Sequence, residues 1–304
     1  MKKLFFLAAL IIIIAACGTN KDLTNPPVSQ TNVFGTDSTF EVVTWNLRTF
    51  PADPEKTVDM LVPLIREMDV DLIAIQEISD QSAFAQLTSR LPGYAYVAMG
   101  NSSYEALGYL YKTSSISIQN QYMIYTDASY SLPFPRSPFV AEFSWKGHPM
   151  IVVNNHLKAY GDNVLDTSDA YDEENRRLQA SALLDTYIQQ HWADQSVIVV
   201  GDMNDTIEDD QSCNVFWPFL SQPDKYLFAD MPLVENHCYA NSSYPSSSSN
   251  IDHILINNSL FDDYAQASTT VKAINIENSL GGGFTQYSTY ISDHRPVGLR
   301  MVIQ

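Results

Sequence analysis

The sequence predicts a single α/β domain, and three observations predict it. Short β-branched and aromatic segments alternate with stretches whose apolar residues recur at helical spacing. No linker is visible between residues 39 and 304, and no internal repeat occurs at solenoid periods. Of the 304 residues, 45% are hydrophobic and 12% aromatic, a globular composition that excludes wholesale disorder.

The chain opens on an address. Lys2 and Lys3 precede an apolar run over residues 4–16. That run is shorter than the roughly 20 residues a membrane-spanning helix needs, and it has the form of a secretory signal. Ile14-Ala15-Ala16-Cys17-Gly18 resembles a bacterial lipobox, in which the cysteine is lipidated and becomes the mature N-terminus. Residues 1–17 are therefore expected to be signal peptide and lipobox, with Cys17 the lipidation site. Residues 18–38 are polar and contain Pro26-Pro27, so a flexible tether is expected there. It would hold the domain, 39–304, at the bacterial cell envelope, anchored to the membrane on its exported, periplasmic or cell-surface side. Exported proteins sit where disulfides persist. A bridge between the two other cysteines, Cys213 and Cys238, is expected, and would stabilise by about 3 kcal/mol in the chain-entropy model.

The elements follow in order. Residues 40–46, Phe-Glu-Val-Val-Thr-Trp-Asn, form a strand. Asp53-Pro54 offers an N-cap and a proline at the first helical position. Val58, Leu61, Val62, Ile65 and Met68 then recur at helical spacing, with Pro63 expected to kink the helix. Residues 71–78 read as a buried strand ending in Gln76-Glu77. Further strands are expected at 106–111, 139–145, 150–155, 196–201, 250–257 and 296–303, and a helix around Ala180, Leu183, Leu184, Tyr187 and Ile188. Gly281-Gly282-Gly283 follows no strand and opens no helix, and reads as a flexible loop.

The formal charge of −18 argues against a protein that coats nucleic acid by charge. It leaves open an enzyme that meets phosphate through a bound cation. The sequence contains no Gly-x-x-x-x-Gly-Lys loop, no His-Glu-x-x-His, no Cys-x-x-Cys and no Gly-x-Ser-x-Gly. What remains is a set of polar residues at strand ends: Asn46, Glu77, His156, Asp202 with Asn204, Asp252 with His253, and Asp293 with His294. Strand-end loops on a rigid scaffold are where catalytic side chains collect. Apart from the histidines, the candidate ligands are hard oxygen donors, which suit magnesium held by one or two carboxylates plus a substrate phosphate. Two histidines and spare carboxylates remain for proton transfer. Together they suit phosphoester hydrolysis.

Thr44-Trp45-Asn46, Ile75-Gln76-Glu77, Asn155-His156-Leu157, Gly201-Asp202-Met203-Asn204, Ile251-Asp252-His253 and Ser292-Asp293-His294-Arg295-Pro296-Val297 resemble the ordered motifs of the endonuclease/exonuclease/phosphatase family. The likeness is to its pancreatic-type deoxyribonuclease members and extends over residues 40–303. It implies a four-layer α-β-β-α sandwich of two mixed β-sheets. By the resemblance, Glu77 holds Mg2+ or Mn2+, with Asn46 and Asp293 close by. Asp202 and Asn204 orient the attacking water and the phosphate. His294 contacts the phosphate and is oriented by Asp252, and His156 is the second histidine. Glu105 resembles the carboxylate supporting that histidine, and Arg136 a phosphate-binding arginine. Apurinic endonucleases place a tyrosine where His156 stands, so the sequence departs from them.

A monomeric metal-dependent nuclease acting on DNA or RNA is expected. A sphingomyelinase-like or inositol-phosphate hydrolase is the alternative, and a tethered binding protein on an inactive scaffold the non-enzyme one. Pancreatic-type members carry a disulfide in the interval that holds Cys213 and Cys238. The acidic stretches Asp162 to Glu174 and Asp205 to Asp210 read as solvated loops, with a structural Ca2+ site as the alternative. His148, His191 and His237 have no motif partners.

Overall fold

A computed structural model describes residues 32–100 and 105–304. The lipobox with Cys17 and the tether up to residue 31 lie outside the described residues. In chain order the elements are β1 (Phe40–Phe50), α1 (Thr57–Met68), β2 (Leu72–Ile78), α2 (Gln81–Ser89), β3 (Tyr94–Met99), β4 (Ala106–Lys112), β5 (Ile116–Met123) and β6 (Phe139–Trp145). There follow β7 (His148–His156), α3 (Glu173–His191), β8 (Val197–Asp202), α4 (Trp217–Leu220), β9 (Tyr226–Phe228) and α5 (Met231–Glu235). The chain ends with β10 (Asp252–Asn257), α6 (Phe261–Tyr264), β11 (Thr270–Ala273), α7 (Gly283–Tyr290) and β12 (Val297–Met301).

The strands form two six-stranded sheets, ordered β11-β12-β1-β2-β4-β3 and β5-β6-β7-β8-β10-β9. Both are mixed: β1–β2 and β7–β8 pair in parallel, and the other neighbours antiparallel. Residues i and i+2 of a strand share a face, and the buried residues sort accordingly. Phe40 and Val42 of β1, Leu72 and Ala74 of β2, Val152 of β7, Ile198 and Val200 of β8 and Ile254 of β10 fill the space between the sheets. Val43, Trp45, Ile73 and Ile75 pack outward with α1 residues Leu61, Ile65 and Met68. Val153, Val199 and Leu255 pack outward with α3 residues Ala180, Leu184 and Ile188. The result is helix, sheet, sheet, helix, the expected four-layer sandwich.

Several expectations are corrected in detail. Asp53 does not cap α1, which begins at Thr57. Its carboxylate instead accepts from Glu55 N and Lys56 N, both at 3.0 Å, closing a separate turn. The helix runs through Pro63 unbroken. The polar stretch does not remain a tether to residue 38, because Phe34 is buried in the core and Asn32 Nδ2 donates to Ser279 Oγ at 2.6 Å. Gly282 and Gly283 do open a helix, as the N-cap and first residue of α7. Cys213 and Cys238 are not joined: the Cys213 thiol turns back to Asp210 O within its own turn, at 3.3 Å. Among the described residues no helix is long and apolar enough to cross a membrane.

The acidic loops are occupied by local partners. Asp172 caps α3 through Asn175 N at 2.7 Å, and Asp166 accepts from Ser168 N at 2.9 Å. Glu174 and Asp205 lie on either side of the buried Arg177, at 3.2 and 2.7 Å. That guanidinium also donates to Lys158 O and Tyr160 O at 2.8 and 2.6 Å, so it ties down the loop that follows β7. The two groups of three or more ligand-type residues found among the described residues contain none of these acids.

Candidate active site

The same two-residue alternation that builds the inter-sheet core also places the site. Counting on from Val42 through Thr44 reaches Asn46, and from Val152 through Asn154 reaches His156. Asp202 follows Val200, and Asp252 precedes Ile254. All four therefore face the gap between the sheets, at one end of it. In the register, His156 and Asp252 stand on either side of Asp202. Gly201 makes the close approach possible. It has φ +150°, and a Cβ there would lie 2.1 Å from Asn155 O.

Residues one step out of phase face away. His253 is buried on the outer side, where Nδ1–H donates to Asp230 Oδ2 at 2.7 Å and Nε2–H to Asp205 O at 2.8 Å. Burial opposes its charge, but Asp230 outweighs that and pushes its pKa up to about 8. It holds the scaffold and takes no part in the site.

Glu77 would also face outward by strict alternation. The β2 register shifts between Ile75 and Ile78 on pairing with β4, and Glu77 takes φ +62°. That left-handed backbone is uncommon for a non-glycine residue, and it turns the carboxylate into the site. Thr49 N donates to Glu77 Oε2 at 2.7 Å, and Asn46 Nδ2 donates to Glu77 Oε1 and Asp202 Oδ2 at 2.9 and 2.8 Å. Beneath this layer Gln76 Nε2 donates to Asn154 Oδ1 at 2.7 Å, linking the sheets. Ser292 Oγ donates to Asn46 O at 2.6 Å and accepts from His294 N at 3.0 Å, which fixes the Ser-Asp-His turn against the end of β1.

His294 Nδ1–H donates to Asp252 Oδ2 at 2.8 Å, leaving Nε2 3.8 Å from Asp202 Oδ2. His156 Nε2 lies 3.7 Å from the same Asp202 oxygen and 3.8 Å from Glu77 Oε1. One carboxylate thus stands between two imidazoles. Burial pushes the Asp202 pKa up to about 7 against the pull of His294. Burial also opposes charge on His294, yet Asp252 and Asp202 overcome it and push its pKa up to about 10. Burial, then Arg136 and His294, hold the His156 pKa well below its usual value. The site therefore pairs a cationic histidine with a neutral one.

The donors fit a hard divalent cation. Glu77, Glu105 and His156 form one group with ligand atoms within 4.8 Å of one another, and Asp202, Asp252 and His294 form another. Asp293 Oδ1 and Asp252 Oδ1 are buried with no hydrogen-bond partner among the described residues. Buried carboxylate oxygens of this kind carry a desolvation cost that a cation would offset.

The profile of the Endonuclease/Exonuclease/phosphatase family matches residues 43–294. The chain belongs to this family. No curated protein matches it. Among solved structures, it is similar to D. rerio TDP2 complexed with single-strand DNA product, at 16% identity and TM-score 0.62, covering 87% of this chain and 99% of that one. It is similar to an endonuclease/exonuclease/phosphatase family protein from Bacteroides thetaiotaomicron, at 18% identity and TM-score 0.58, covering 88% and 96%. It is also similar to a mannosyl-6-phosphatase of that organism, at 18% identity and TM-score 0.57, covering 87% and 100%.

Most of the family motifs meet at this one end of the sandwich. Asn204 has φ +55° and its Nδ2 donates to Leu157 O at 3.3 Å, so it borders the site behind Asp202. Arg136 Nη2 pairs with Glu105 Oε2 at 2.7 Å. Asp293 belongs to neither ligand group and faces Arg48 Nη1 at 3.9 Å. His191 and His237 are exposed and His148 is half-buried, all outside the cluster. Sequence reasoning missed Tyr244, whose ring lies 4.8 Å from that of His294, centroid to centroid. Burial, then Asp293 and Asp202, raise its pKa. An aromatic residue within a serine-rich segment was the one available signal.

Proposed function

We propose that this protein is a divalent-metal-dependent phosphodiester hydrolase, using Mg2+ or Mn2+, that acts on nucleic acid. The observation that carries the reading is the Asp202 carboxylate standing between His156 and the His294–Asp252 pair, with Glu77 alongside. Glu77 would hold the metal, with Asn46 and Asp293 beside it. When bound, the cation supplies charge neutralisation at the phosphate. Asp202, steadied by Asn46 and flanked by Asn204, accepts a proton from the attacking water. The water oxygen bonds to phosphorus, the ester P–O bond breaks, and the departing alkoxide is protonated by solvent. His294, held by Asp252, meets the phosphoryl oxygens, and Arg136 is a further phosphate contact. TDP2, whose structure holds a single-strand DNA product, supports a nucleic-acid substrate.

One observation favours a second reading, a small phosphate monoester. The basic side chains around the site are each matched by an acid: Arg48 by Asp293, Arg136 by Glu105, Lys158 by Glu173. That leaves little unopposed positive charge for a long polyanion. We further propose that Cys17 lipidation tethers the protein at the cell envelope. Membrane fractionation of wild type and Cys17→Ser checks it, and identical distributions would count against it.

The catalytic test is a screen of single-stranded DNA, duplex DNA, RNA and phosphate monoesters with Mg2+, Mn2+ or EDTA. Glu77→Gln should abolish or greatly reduce turnover while the fold survives, because it removes a charged ligand and keeps the shape. Full activity in EDTA or in Glu77→Gln would sink the mechanism. Turnover of monoesters alone would keep the chemistry and change the substrate.

A further inference from the structure

A cavity of about 240 Å3 lies beside the catalytic cluster, and of its lining the proposed mechanism uses only Arg136. Its lining includes Glu105 and Arg136. Glu105 has a carboxylate oxygen within 4.8 Å of ligand atoms of both Glu77 and His156. The cavity therefore adjoins the proposed metal-binding group through Glu105, which it shares. It runs from the ion pair toward the segment between β5 and β6.

Its size and chemistry limit what can enter. Pockets for drug-sized ligands run from about 300 to 1,000 Å3, so this one takes a smaller group, about one ring. Leu107 and Phe134 give it a buried apolar wall, and Tyr125 stacks on Phe134 at 5.1 Å and 14°. Ser131 and Ser137 line the same space. Their hydroxyl hydrogens are committed to Ala128 O and Tyr125 O at 2.8 and 3.3 Å, which leaves their oxygens as acceptors. The charges do not favour an anion. Arg136, the one cation in the lining among the described residues, is paired with Glu105, and Asp127 adds a second carboxylate. A second phosphate placed there would meet net negative charge. An uncharged ring with an apolar face and hydroxyl donors on its rim would be matched on both counts.

We propose that this cavity is a specificity subsite that receives the sugar ring esterified to the phosphate being cleaved. The proposal rests on the phosphoester-hydrolase reading of the adjoining cluster and narrows its substrate class to sugar phosphate esters. The ring is either a free monosaccharide phosphate or the terminal nucleotide of a single strand.

The test fills the cavity from its exposed side. Ala128→Trp and Ser131→Phe each put a bulky ring into the space and lie outside the catalytic cluster. Steady-state rates with Mg2+ or Mn2+ are compared on mannose 6-phosphate, a single-stranded oligonucleotide, and glycerol 3-phosphate, which has no ring. Both variants should lower kcat/KM for a ring-bearing substrate at least about 10-fold, mainly through KM, and leave glycerol 3-phosphate within about twofold. Loss on mannose 6-phosphate alone identifies a free sugar as the source, and loss on the oligonucleotide alone a terminal nucleotide. Equal losses on all three substrates, or none on any, would overturn the subsite. Calorimetric titration of mannose 6-phosphate and of the oligonucleotide into wild type and Ala128→Trp gives a second readout. Binding to wild type that the variant weakens at least about 10-fold supports the subsite even if turnover fails. Absence of binding by either ligand, or equal affinity in both proteins, overturns it. Failure of the hydrolase reading is distinguishable, because it would leave every substrate uncleaved with either metal.

Discussion

At the scale of single residues, the site depends on which hydrogen bond fixes which charge. His294 owes its orientation to one contact, Nδ1–H to Asp252 Oδ2 at 2.8 Å. Asp252→Asn keeps the shape and removes the charge, so the imidazole loses the partner that holds it protonated. His294→Ala removes the group itself. Each should lower kcat by about 100-fold or more, the scale of a positioned acid–base group. The double variant should be little worse than His294→Ala, because residues acting as one unit are not additive. Multiplied losses in the double variant would show that Asp252 acts independently of His294. The Tyr244 ring packs against the same imidazole, 4.8 Å between centroids, and the backbone of Tyr244 bonds to Ser249 in both directions at 2.9 and 3.2 Å. His294 thus has both a carboxylate partner and an aromatic neighbour, whereas His156 keeps a buried Nδ1 with no partner among the described residues.

At the scale of elements, Arg177 of α3 fastens the loop between β7 and α3 from below. It is 1% exposed and bonds to Asp205, Glu174 and two loop carbonyls. Arg177→Met should cost about 3–5 kcal/mol in denaturant unfolding, because it strands two buried carboxylates. It should also make the 158–171 loop sensitive to limited proteolysis. Unchanged stability would mean the carboxylates find other partners. This anchor was hidden in the sequence, where Arg177 stands among charged residues that look solvated. The strands divide in the same way. The eight interior strands are close to where the apolar runs place them, since burial on both faces writes a continuous hydrophobic segment. The four that were not foreseen are β3, β5, β9 and β11, and these are the four sheet edges. Edge strands are short or partly polar, as in the Ile-Ser-Ile-Gln-Asn-Gln-Tyr-Met of β5, and they leave little periodic signal. The site was more legible than the edges because its residues sit one or two positions beyond strong strands, and the parity of those strands separates Asp252 from His253. Glu77 escapes that parity rule, since a register shift places it. The helix begun by Gly282 and Gly283 was hidden by glycines that suggest a loop.

At the scale of the whole molecule, the sandwich is pinned at both ends by polar groups. The candidate active site closes one end. At the other, where β1 begins, Trp145 Nε1 of the second sheet donates to Asp71 Oδ2 at 2.9 Å, and Ser115 Oγ donates to Asp71 Oδ1 at 2.5 Å. Glu41 lies beside this pair, fully buried, with Thr36 N donating to its Oε1 at 3.1 Å and no partner for Oε2 among the described residues. Burial, aided by repulsion from Asp71, outweighs the Thr39 and Thr36 hydrogen bonds and pushes the Glu41 pKa up to about 8. The folded protein therefore binds this proton at pH values where the unfolded chain, with an ordinary value near 4.5, has lost it. The contribution to stability is fully present below about pH 4.5 and is lost as pH rises through about 8, with a slope of at most about 1.4 kcal/mol per pH unit for one proton. Glu41→Gln reproduces the neutral form: its carbonyl keeps the Thr36 and Thr39 bonds, and its amide can donate toward Asp71 as the protonated acid would. The variant should match wild type in urea unfolding near pH 5 and exceed it near pH 8.5, flattening the decline between them. A wild-type profile with no fall over that interval, or a variant that keeps the fall unchanged, would show that Glu41 ionises in the folded state without cost. Because Glu41 sits at the far end of β1 from Asn46, its substitution should leave kcat unaltered, which separates the stability of the sandwich from the chemistry at its other end.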